Sequence, residues 1–71
     1  MVFELKHFIR NRRKILGLTQ KDLAEKSGVG LRFIRDIEQG KQSLRLDKVN
    51  QVLLMFGHRM MPNQISGGYD E

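Results

Sequence analysis

The chain has 71 residues, no cysteine, and 13 lysines and arginines against 8 aspartates and glutamates, giving a formal charge of +5. That length leaves room for one domain, the missing cysteines exclude disulfides and thiolate metal sites, and the positive balance favours a polyanionic partner. No apolar run approaches the roughly 20 residues that a membrane span requires.

The first predicted element is a helix from Glu4 to about Leu16, on which Leu5, Phe8, Ile9 and Leu16 recur at helical spacing. Arg10, Arg12 and Lys14 lie mainly off that stripe, and part of this basic run reads as a solvated helix face. Thr19 begins a second helix: its hydroxyl can accept from the amides ahead of it, and Asp22 can answer in the manner of a capping box. This helix starts near Gln20, carries Leu23 and Ala24 inward, and ends at Ser27, where Gly28 supplies a left-handed residue. A turn over Gly28 to Gly30 leads to a third helix from Leu31 to about Gln39, closed by Gly40. Ile34 and Ile37 face inward there, while Leu31, Arg32, Arg35 and Asp36 face outward.

A fourth helix is placed by Leu46, Val49, Leu53 and Phe56, ending at Gly57, with Asp47 in its favourable first turn. Val52, Leu54 and Met55 are apolar as well. This excess implies a second buried face, either a contact between two copies or a thicker core. A chain this small buries a limited share of its surface, so an oligomer is expected, with Val52, Met55 and Met60 at the interface. From Asn63 onward the sequence NQISGGYDE has few apolar residues and reads as a flexible tail over 63–71, leaving 1–62 as the folded domain.

A short helix, a glycine turn and a second basic helix without spare residues form a helix-turn-helix, a device that enters a DNA groove. Thr19, Gln20, Leu23, Ala24, Gly28, Ile34, Glu38 and Gly40, with LTQ after a basic first helix and EQGK ending the third, resemble the Cro/repressor helix-turn-helix family, also called XRE. The resemblance covers about Arg10 to Gly57. Within that family, the stretch RRKILGLTQKDLAEKSGV followed by RFIRDIEQGK and LRLDKVNQVL is similar to HipB-type antitoxins, which partner HipA-type kinases.

The resemblance implies an all-α, four-to-five-helix domain of the lambda-repressor type. By analogy with HipB-type antitoxins, Arg59 to Met61 could add a short strand across a two-fold axis, limited by Pro62. The resemblance also implies a homodimeric repressor on a palindromic operator, with its recognition helices roughly 34 Å apart in successive major grooves. Arg13 is expected to pair with Glu38 and lock the first helix to the third. Gln20 matches a glutamine that bonds phosphate, and Gln39 and Lys41 match the second phosphate-binding position. The lesser alternative for Lys41 is a solvated loop lysine. Leu31 stands at a base-facing position, where it could touch a thymine methyl group. Gly30 departs from the usual serine or threonine and removes one capping hydroxyl.

Arg32 and Arg35 are three residues apart and share a face, with guanidinium groups long enough for guanine O6 and N7. Either could bind phosphate instead. Asp36 could accept from cytosine or could hold the arginine rotamers. Phe33 reads as semi-buried.

Other classes find less support in the sequence. His7 and His58 have no metal-ligand spacing, the glycines form no phosphate-binding loop, and Ser27 and Ser43 lack a base in any nucleophile motif. No enzyme activity, metal or cofactor is expected. The first residues lack the charged-then-apolar order of a signal peptide, so a cytoplasmic location is expected. An alternative function is a protein-interaction module that neutralises or scaffolds a partner without specific DNA binding. RNA suits these helices less well than DNA, because the major groove of A-form RNA is deep and narrow.

Overall fold

The computed structural model describes residues 2–64, which form four helices: α1 (Val2–Ile15), α2 (Gln20–Ser27), α3 (Leu31–Glu38) and α4 (Leu46–Leu54). The all-α class matches the sequence expectation. There is no fifth helix and no strand among the described residues. Residues 65–71, most of the expected tail, lie outside the described part.

Local chemistry sets the boundaries of α2. The Thr19 hydroxyl accepts from the Asp22 amide at 3.0 Å and the Asp22 carboxylate accepts from the Thr19 amide at 3.0 Å, completing the capping box. At the other end Gly28 adopts φ 82° and donates its amide to the Ala24 carbonyl at 2.9 Å. A Cβ at Gly28 would stand 3.0 Å from the Gln51 amide nitrogen, which donates to the Ser27 carbonyl at 2.8 Å. Glycine reverses the chain here and leaves room for the Gln51 side chain to reach the Ser27 carbonyl. Gly30 precedes α3 with no side-chain cap, as its missing hydroxyl requires.

Each helix turns one face into a single core of Ile9, Leu23, Ala24, Val29, Ile34, Ile37, Val49, Val52 and Leu53. Leu5, Phe8, Leu18, Leu31, Phe33, Leu44, Phe56 and Met60 pack around it. Buried Ser27 is satisfied within its own helix, donating to the Leu23 carbonyl at 2.7 Å. That bond removes the cost of an orphan hydroxyl in the core.

Several sequence expectations change on α4 and beyond. Val52 is 0% exposed in the single chain, so it has no surface to offer a second copy. Starting α4 at Leu46 puts Val49, Val52 and Leu53 on one inward face, and Leu54 turns outward instead, at 73% exposure. The thicker-core reading therefore holds for Val52. Met55 stays on the surface, and Met60 is half-buried against the core.

The helix also stops three residues short of Gly57, in a turn where Phe56 reaches back to Phe8 at 6.2 Å, edge to face. Arg59 to Met61 is irregular rather than a strand: the Met60 amide donates to the Asn50 side chain at 2.7 Å, which fastens this segment onto α4. Leu16, expected on the apolar stripe of α1, is exposed, because α1 ends at Ile15 and Gly17 turns the chain at φ 70°.

Candidate nucleic-acid interface

The arrangement is anchored where α1, α2 and α3 meet. Arg13 on α1 donates Nε to Glu38 Oε2 at 2.7 Å and Nη2 to Oε1 at 3.0 Å, a two-point fork across to the last residue of α3. Its third nitrogen, Nη1, donates to the Leu18 carbonyl at 2.9 Å, just ahead of α2. One guanidinium thus ties three elements together with charge-assisted bonds. The side chains are 13% and 5% exposed, so the pair is largely removed from water. The pair inferred from the sequence resemblance is present in the structure.

Glu38 has a further donor that sequence reading did not find. Gln20 Nε2 donates to Oε1 at 3.1 Å, so the glutamine is turned toward the ion pair. One N–H and the amide oxygen of Gln20 remain for an external partner. Burial raises the carboxyl pKa of Glu38, but the hydrogen bonds from Arg13 and Gln20, with the charges of Arg13 and Arg10, outweigh it and hold the carboxyl below its ordinary range. The Arg13 guanidinium is raised by the same hydrogen bond, against the opposing effect of burial.

The start of α2 faces outward beside this anchor. Its capping box uses the amides of Thr19 and Asp22, while those of Gln20 and Lys21 have no acceptor within the helix. Two free N–H groups at the positive end of a helix suit a phosphate oxygen.

On α3, Arg32 is 86% exposed and bonds Asp36 from Nε at 3.4 Å. Lys41 Nζ approaches the other oxygen of Asp36 at 3.6 Å, across the turn at Gly40. Asp36 is mostly covered and sits between two cations, the rotamer-holding role of the two considered from sequence. Arg35 is exposed and makes no ion pair among the described residues. Leu31, expected to face a base, is half-buried against the core and keeps only part of its side chain outside. Gln39 is exposed just past α3, where its amide donates to the Arg35 carbonyl at 2.9 Å.

The structure therefore brings Gln20, Arg32, Arg35, Asp36, Gln39 and Lys41 onto α2, α3 and the turn that follows. Val52 and Met60 belong to the core and its margin. The contacts that sequence reading missed, Gln20 to Glu38 and Lys41 to Asp36, join residues 18 and five positions apart, which no local spacing reveals. Among the described residues, no group of three histidines or carboxylates gathers for a metal, and no helix is long and apolar enough to cross a membrane.

Two short helices set across a glycine turn, the second with unpartnered arginine and the first with open amides, define the helix-turn-helix class. Residues 9–57 match the family model described as Helix-turn-helix, and the chain belongs to that family. It is similar to the "Uncharacterized HTH-type transcriptional regulator y4mF" of Sinorhizobium fredii, at 49% identity over 49 residues. The match covers 69% of this chain and 64% of that relative, so the chain spans less than two thirds of the relative's length. No solved structure matches the chain.

Proposed function

We propose that the protein is a sequence-specific DNA-binding transcriptional repressor that acts as a homodimer on a palindromic operator. The observation that carries this reading is the outward pair Arg32 and Arg35 on α3, with Asp36 bracing Arg32 and the open amides of α2 on the neighbouring helix. Arg32 and Arg35 read guanine edges in the major groove, and Leu31 offers its exposed part to a thymine methyl group. Gln20, Gln39, Lys41 and the first amides of α2 hold phosphates and fix the register. Repression follows from occlusion of the promoter.

The dimer is supported by the small size of the domain and by the apolar side chains Ile15, Leu16, Leu54 and Met55, which a single chain leaves exposed. A further layer of the proposal is that the dimer serves as antitoxin and autorepressor of a HipA-type kinase operon, on the strength of the HipB-like stretch described above. A cognate kinase that fails to co-purify removes this layer and leaves the repressor intact.

Binding of the purified protein to its own upstream DNA and to scrambled DNA of equal length, across a salt series, tests the repressor reading. Preference for the upstream DNA that persists as salt rises is the expected result. Equal, salt-sensitive binding to both would overturn it in favour of a protein-interaction module with a basic surface.

A further inference from the structure

Arg10 stands one helical turn before Arg13 on α1, and residues three apart share a helix face. Arg13 on that face reaches both Glu38, the last residue of α3, and the Leu18 carbonyl just ahead of α2. This side of α1 therefore borders the two elements of the proposed DNA surface. Arg10 is exposed and makes no hydrogen bond or ion pair with any described residue.

Glu38, the acidic residue that Arg13 reaches from the same face of α1, makes no bond to Arg10 and is already occupied. One oxygen receives Arg13 Nε, and the other receives both Arg13 Nη2 and Gln20. The charge of Arg10 contributes only after burial, the two hydrogen bonds and the charge of Arg13 to setting the Glu38 carboxyl below its ordinary range. The other arginine on this part of α1 is engaged elsewhere: the Arg12 guanidinium lies 5.5 Å over the Phe8 ring. Arg10 is thus a cation beside the binding surface with no structural acceptor of its own.

We infer that Arg10 is a further DNA-anchoring residue that binds a backbone phosphate from α1, extending the contact surface beyond the helix-turn-helix itself. The inference rests on the DNA-binding reading above. An arginine on a flanking helix meets phosphate rather than base edges, so its contribution is independent of sequence.

Salt dependence tests this with a short random-sequence DNA duplex as the probe. In Arg10→Gln the slope of log affinity against log salt becomes shallower by about 0.9, the value for one lost phosphate contact on B-form DNA. Lys26→Gln removes the same charge from the last turn of α2 and leaves the slope as in the parent protein. The thermal midpoint of Arg10→Gln stays at the parent value.

A slope in Arg10→Gln equal to that of Lys26→Gln overturns the inference. So does a lowered midpoint with the slope retained, which would make Arg10 a structural partner of Glu38. Lys41→Gln separates the two levels of argument. If it flattens the slope and Arg10→Gln does not, the inference about Arg10 fails alone; if the parent protein shows no salt-dependent binding, the DNA-binding reading fails with it.

Discussion

Arg13→Ala lowers the unfolding free energy of the domain by about 3 to 5 kcal/mol, read from urea denaturation, because it leaves the Glu38 carboxylate buried without its main partner. The magnitude follows from burial. With 13% and 5% of the two side chains exposed, solvent replaces the two-point fork poorly, and the Leu18 carbonyl loses its donor at the same time. An exposed pair would yield less than about 1 kcal/mol, so a loss that small would contradict the buried geometry. Replacing both partners with apolar residues, as in Arg13→Met with Glu38→Leu, recovers much of the loss, since the pair is costly chiefly when halved.

The same interaction carries an acid dependence. The folded pKa of Glu38 lies below its ordinary value, so the contribution is complete above the ordinary carboxylate range and disappears as pH falls through the folded value. Glu38→Gln, already neutral, loses that part of the acid sensitivity.

Arg32→Ala and Arg35→Ala each reduce discrimination between operator and scrambled DNA by about 1 to 3 kcal/mol, the worth of one bidentate guanine contact. Folding is nearly unchanged, within about 0.5 kcal/mol, because both side chains project into solvent. Affinity for scrambled DNA falls less than affinity for the operator, since base contacts are lost while Gln20, Gln39 and Lys41 still hold the backbone. A double variant that keeps full discrimination but binds all DNA more weakly would reassign both arginines to phosphate. Competition binding with the two duplexes distinguishes these results.

The elements that proved legible in the sequence are those governed by local chemistry. Thr19 with Asp22, Gly28 after Ser27, and the Ile34 and Ile37 pair set α2, the turn and the buried face of α3, and each acts within a few residues of itself. The link from Arg13 to Glu38 was accessible only through family resemblance, since 25 residues separate the partners. The sequence misplaces Val52 because residues 52–56 are all apolar, and an unbroken apolar run does not reveal which of its members faces out. Only the inward packing of Val49, Val52 and Leu53 decides that, and it leaves Leu54 outside. The strand expected after α4 came from analogy with HipB-type antitoxins, whereas in this chain the bond from Met60 to Asn50 draws the segment onto α4 instead.

The most direct measurement of the central claim, that α2 and α3 form the DNA-reading surface, is a titration of isotope-labelled protein with its upstream duplex, following backbone amide chemical shifts. The proposed mode of binding predicts the largest changes at Gln20, Lys21 and residues 31–41, with the core of α4 little affected. Saturable binding with changes confined to residues 53–63, or spread evenly over the exposed lysines and arginines, would contradict it.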